Sequence, residues 1–197
     1  MMSVNLRKIE GNWDVGYALD KHIISSVYMG NNQSGHAVFD TKRTQVGEAV
    51  YQLKYKQDWL QVPRLASAVM KYVVPLVGDI GLIVPMPAST QRPRQPVTEV
   101  ALALAKLIGV KVFSDLLVGK AVPNANQSLK NMHTKAEKEA ALLGRFSIKD
   151  GIAGEGKWNA LLLDDLFDSG ASMEAACSSL RTYAKIDKIF AVALTWK

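Results

Sequence analysis

The segment that most constrains this chain is Ala160 to Arg181, ALLLDDLFDSGASMEAACSSLR. Its leucine run has no polar alternation, so it reads as a strand buried on both faces. Two acids end that strand and a Ser/Gly-rich turn follows. Met173, Ala176, Leu180 and Ala184 then recur at helical spacing. A buried strand feeding an amphipathic helix through a short turn is half of a βαβ unit. The chain is thereby held to a parallel sheet with helices packed on it.

In open parallel sheets, ligands bind beyond the C-terminal strand ends. Asp164 and Asp165 fall at such an end, and Ser169, Gly170, Ala171 and Ser172 fall where the helix begins. The first amides of a helix lack helical partners, and the dipole there favours an anion. Gly170 lets the backbone approach closely, and two hydroxyls add donors. Acids would repel a phosphate directly but suit sugar hydroxyls or a hydrated cation. The pattern points to a ribose phosphate, its diol on the acids and its phosphate in the turn. A plainer reading has the acids merely ending a strand and Ser169 merely capping a helix. It explains each element alone but not their conjunction.

Strand and helix patterns alternate from residue 79 onward. DIGLIVPMP is a short apolar strand running into a proline-bounded loop. PVTEVALALAKLIG is a helix with Val97, Val100, Ala101, Leu104 and Ile108 on its buried stripe and Gly109 as C-cap. VKVF is a strand, 118–134 a long loop, and HTKAEKEAALLGRF a helix. WNALLLDD, ASMEAACSSLRTYAK and IDKIFAVALTW then read as strand, helix and strand. The N-terminal part reads differently. Residues 15–29 have strand composition, GNNQSG at 30–35 is a turn, and HAVFD follows, giving a hairpin or short meander. Helices follow from Thr44, with Val46, Val50 and Leu53 apolar, and from Pro63, with Leu65, Val69 and Tyr72 or Val73 on one face. The expected organisation is α/β: an N-terminal cap over 1–78, made of the hairpin and two helices, and a parallel-sheet core over 79–197.

Composition narrows the function classes. At 48% hydrophobic and 21% charged, the chain can bury a core and is not disordered in type. Its one cysteine, Cys177, excludes an internal disulfide framework and a cysteine-rich zinc site, and its mid-helix place makes it a small core residue. No apolar run reaches membrane-spanning length, and MMSVNLRKIEGNWD lacks a secretory apolar stretch, so a cytoplasmic home without membrane attachment is expected. Lys and Arg number 24 against 18 Asp and Glu, a net charge of +6 that suits anionic partners without any run dense enough for a nucleic-acid arm. The histidines lack metal-ligand spacing. Trp158 and Trp196 read as packing residues; Tyr17 and Tyr28 read as packing residues first, with stacking on a base as the alternative.

LLLDDLFDSGAS resembles the phosphoribosyl pyrophosphate (PRPP) motif of type I phosphoribosyltransferases: an apolar strand, two acids, two further residues, then a small Ser/Thr–Gly loop. The remaining order is similar to the ComF-like (competence protein F-like) branch, over residues 40–197. It runs from GEAVYQLKYK through IVPMPAS with Arg92 and Arg94, then an Asn-Gln pair, to a helix ending in Arg145-Phe146. The chain departs from that branch in lacking its four-cysteine zinc module. It also has Asp168 where Thr is frequent. The resemblance implies a parallel sheet of the phosphoribosyltransferase type and a pentosyltransferase of nucleotide metabolism, displacing pyrophosphate from Mg-PRPP by a nitrogen nucleophile, a nucleobase above all. Asp164 and Asp165 would hold the ribose diol and help order Mg²⁺, and Ser169, Gly170, Ala171 and Ser172 would cradle the 5′-phosphate. A second loop, Ala88, Ser89 and Thr90 with Arg92 and Arg94, would take the pyrophosphate, since guanidinium forks match phosphate oxygens. This loop often carries a cis peptide in the family. The 118–134 loop would close over the ligand, with Lys130, His133 and Lys135 near the pyrophosphate. Lys54 is a further candidate for phosphate contact. Asp168 is either a proton-handling catalytic acid/base or a helix cap. Dimers are common in this family, so a homodimer is a further expectation. The alternative is a non-catalytic protein that senses PRPP or a nucleotide monophosphate and works with nucleic acid, as the family's link to DNA uptake implies.

Overall fold

The computed structural model describes residues 2–90, 92–119 and 144–197. Chain order begins with strands β1 (Arg7–Lys8), β2 (Val15–Lys21), β3 (Ile23–Asn31) and β4 (Ala37–Arg43). Helices α1 (Gln45–Tyr55) and α2 (Gln61–Tyr72) follow, then a 3-10 turn at Val74–Leu76. The rest is β5 (Leu82–Pro85), α3 (Pro96–Ile108), β6 (Lys111–Val112), β7 (Leu117–Gly119), β8 (Phe146–Ile148), β9 (Trp158–Phe167), α4 (Ala171–Arg181) and β10 (Ile186–Trp196). The helix expected from His133 falls almost entirely outside the described residues.

The protein is α/β with a mostly parallel central sheet. The order is β1-β2-β10-β9-β5-β6; all neighbours run parallel except the edge pair β1–β2. Side chains alternate across a strand, and here both faces are covered. Ile83, Leu161, Leu163, Val192 and Leu194 face one layer, where they meet α1, α2 and α3. Leu82, Val84, Leu162, Ala191 and Ala193 face the other, against Met173, Ala176, Cys177 and Leu180 of α4 and against Phe146 and Ile152. Two covered faces explain why the central strands carry unbroken apolar runs.

The sheet draws on both segments that the sequence reading divided at residue 78. β2 pairs with β10 from Val15 to Lys21, and its Ala18 and Leu19 are fully buried. α1 and α2 cover a face of the sheet rather than forming a separate cap. The β3–β4 hairpin lies outside that sheet, as does the short β7–β8 pair. The hairpin's strands pair with each other alone, and Ile24, Val27, Tyr28, Met29 and Phe39 are each more than half exposed. The Tyr28 and Phe39 rings meet at 5.6 Å across the pair.

Helix boundaries follow local chemistry. The Thr44 hydroxyl accepts from the Gly47 N–H at 2.9 Å and donates to the Lys21 carbonyl at 2.6 Å, so it caps α1 and ties it to the end of β2. Pro63 lies in the first turn of α2, which starts at Gln61 rather than at the proline. Gly109 ends α3 at φ 76°, where its N–H bonds Ala105.

At Gly47 α1 packs directly against the chain just after β2: a Cβ there would lie 2.1 Å from the His22 carbonyl oxygen. Neither partner can yield without moving backbone. Gly47→Ala is expected to destabilise the protein by about 1–3 kcal/mol, despite the higher helix propensity of alanine. Urea unfolding measures this, and a variant as stable as wild type would contradict the packing described.

Candidate functional site

The sheet reverses its winding between β5 and β9. β5 leads through α3 to β6 on one side, while β9 leads through α4 to β10 on the other, and the two helices lie on opposite faces. Such a switch point opens a crevice at the C-terminal strand ends. β5 ends in register with Leu163, whereas β9 runs on to Phe167 beside β10. Asp164 and Asp165 are therefore the first residues of β9 past its shorter neighbour, at the floor of that crevice.

Adjacent residues of a strand point to opposite faces. Asp165 continues the Leu161–Leu163 row towards α1; Asp164 continues the Leu162 row towards α4. Asp165 Oδ2 lies 2.5 Å from Lys54 Nζ, with both side chains largely buried. Asp164 Oδ1 accepts from the Asp165 N–H at 2.8 Å. Burial, followed by the charge of Asp165, pushes the Asp164 carboxyl up to about 7, against the pull of the Asp165 N–H and of Lys54. Burial works against the Lys54 ammonium, but the charge and hydrogen bond of Asp165 outweigh it, so Lys54 is raised and remains a cation.

Thr195 and His22 complete the site around Asp165, and neither stood out in the sequence. The Thr195 hydroxyl donates to the Asp165 carbonyl at 2.7 Å and lies 3.1 Å from His22 Nδ1. Its single proton is committed to the carbonyl, so Nδ1 is the donor to Oγ1. Burial, then Arg43 and Lys54, pull the His22 pKa down, which agrees with a neutral ring.

On the α4 side, Gly170 is the N-cap at φ 83°, a position with no side chain of its own to cap the helix. A Cβ at Gly170 would come within 3.0 Å of the Phe167 ring. The N-cap position considered for Asp168 and Ser169 thus belongs to glycine. Asp168 is exposed, with Oδ2 3.4 Å from Lys197 Nζ. Ala171 is buried, Ser169 half-buried and Ser172 exposed.

The loop after β5 borders the same crevice. The Met86 N–H bonds the Leu163 carbonyl at 2.8 Å, and Ala88, Ser89 and Thr90 are exposed. Gln95 Nε2 donates to the Thr90 and Arg92 carbonyls. Arg94 pairs with Glu99 at 2.7 Å and stacks over Trp59 at 4.1 Å, so it is already engaged away from the acids. A cavity of about 430 Å³ runs between this loop and 114–119, with Ala88, Arg94 and Asp115 in its lining. All described peptide bonds are trans. Lys130, His133 and Lys135 lie outside the described residues. Among the described residues no group of three or more His, Cys, Asp or Glu is placed to hold a metal, and no helix is long and apolar enough to cross a membrane. Cys177 is buried, and burial pushes its thiol up to about 12.

No protein-family model matches the chain, and no curated protein matches it. Solved structures do. An adenine phosphoribosyltransferase shares 14% identity at a TM-score of 0.40, with 87% of this chain and 86% of that one covered. The Saccharomyces cerevisiae adenine phosphoribosyltransferase, complexed with an imino-altritol bisphosphate and adenine, gives 14%, 0.40, 87% and 85%. The UMP synthase of Leishmania donovani gives 13% and 0.39 over 82% of this chain, which spans only 26% of that longer protein. The fold class itself rests on the strand order and on the two packed faces described above.

The raised Asp164 carboxyl makes a signed prediction. Folded, it holds its proton to about pH 7; unfolded, it releases it near the ordinary 3.8. Its contribution is fully favourable below the lower value and is lost as pH rises through the upper one. Asp164→Asn should therefore gain in melting temperature over wild type between about pH 4 and 7, and the gap should level off above that. A gap independent of pH in thermal denaturation would contradict the assignment.

Proposed function

We propose that this chain binds Mg-PRPP and transfers its phosphoribosyl group to a nitrogen nucleophile, with release of pyrophosphate. The observation that carries this reading is the pairing, at one switch-point crevice, of an acid pair on β9 with a glycine-capped helix N-terminus on α4. An anion-binding end and a hydroxyl-binding end, joined by one short loop, match the two ends of a ribose 5-phosphate. A helix end alone would suit any anion, and the acids alone any cation or diol.

In this reading the first-turn amides of α4, with Ser169 and Ser172, take the 5′-phosphate. Asp164, on the same face as α4, accepts from the ribose hydroxyls. The exposed 88–90 loop and Arg92 take the pyrophosphate; Arg94 joins them by exchanging Glu99 for phosphate. Magnesium enters as part of the substrate. It usually keeps several waters and binds through one or two carboxylates plus phosphate oxygens, so Asp164 suits it without a dedicated cage. When bound, it would offset charge developing on the departing pyrophosphate. The protein contributes positioning: strand and helix hold the sugar at fixed separation from the leaving group. Asp168, at the crevice rim, is the candidate to take a proton from the nucleophile, after leaving Lys197.

Calorimetric titration of Mg-PRPP into wild type and the Asp164→Asn/Asp165→Asn double variant tests this. Binding by wild type that weakens roughly 100-fold or more in the variant is the expected result, from the loss of the carboxylate that meets the sugar and of the one beside it. A folded wild type that does not bind Mg-PRPP would overturn the reading.

A further inference from the structure

Lys54 is placed with unusual care for a helix lysine. It sits two turns after Gly47 on the same face of α1, and Gly47 seats that face directly on the His22 carbonyl. Thr44 pins the same helix to Lys21. The result is a single cation delivered from the helical layer to the strand end. It meets Asp165 at 2.5 Å, with 23% of the lysine side chain and 18% of the aspartate side chain exposed. Pairs this far from water are poor devices for stability, because desolvation offsets much of their attraction. Their better use is to hold a geometry.

The geometry held is that of both acids. Lys54 Nζ fixes the Asp165 carboxylate, and the Thr195 hydroxyl fixes the Asp165 carbonyl. The N–H of the residue so held donates to Asp164 Oδ1. Of these, only the lysine contact comes from outside the sheet. We propose that Lys54 is a positioning residue: through Asp165 it pre-orients Asp164 for the hydroxyl groups of a phosphoribosyl ligand. This rests on the reading of the crevice given above. It also reassigns Lys54 from a phosphate contact to a residue that acts through the acids, with Asp165 as buttress and Asp164 as the face that meets the sugar. Pre-orientation raises affinity because the ligand no longer has to order the carboxylates.

The test is calorimetry with Mg-PRPP on the full chain: wild type, Lys54→Met, Lys54→Arg, Asp165→Asn and the Lys54→Met/Asp165→Asn double variant, each with its melting temperature. Lys54→Met should weaken binding roughly 10–100-fold. Lys54→Arg should recover most of that loss and is the folded check if the methionine variant fails to fold. Adding Lys54→Met to Asp165→Asn should cost little further, since the lysine acts through that carboxylate. Binding by Lys54→Met equal to wild type, or an equal loss in both backgrounds, overturns the positioning role while leaving the ligand assignment intact. No binding by wild type overturns the ligand assignment, and the positioning role with it.

Discussion

Burial of β9 on both faces is the constraint on which the rest of the site depends. Leu161 and Leu163 are sealed by one helical layer, Leu162 by the other, and no charge can enter that stretch without a partner. Polar residues can begin only where β5 has stopped, and they begin there at once with Asp164 and Asp165. Shortening β5 relative to β9 creates the crevice, and the reversal of winding between them keeps helices from covering it.

Strand alternation then divides two neighbouring acids between two environments. Asp165 turns to α1 and finds a cation there; Asp164 turns to α4 and accepts from its neighbour's N–H. One carboxylate is thereby paired and held, while burial and its neighbour's charge push the other up to about 7. A pair that looks duplicated in sequence has two roles in space.

The core half of the fold was legible because its signals are local. Leucine runs mark buried strands, Gly109 marks a C-cap, and the acid–glycine–helix segment marks a strand end with an anion-ready turn. The N-terminal half was less so. Val15 to Lys21 has the same strand character as the hairpin that follows, and nothing local says that it adds to β10 across the whole length of the chain. The site was legible on its α4 side and silent on its α1 side for the same reason. Thr195, His22 and Lys54 are brought to Asp165 by tertiary pairing, and no spacing in the sequence encodes it. Gly47 was a weak hint: a glycine inside a helical pattern often records a close approach of backbone, and here it records α1 against His22.

The central claim is that one crevice binds both ends of a phosphorylated ribose. The most direct measurement is a crystal structure of the protein with ribose 5-phosphate. The account predicts the phosphate on the amides of Gly170 to Ser172 and the ring hydroxyls towards Asp164, with Lys54 still on Asp165. A ribose 5-phosphate bound elsewhere, or seated here with its phosphate turned away from α4, would contradict it.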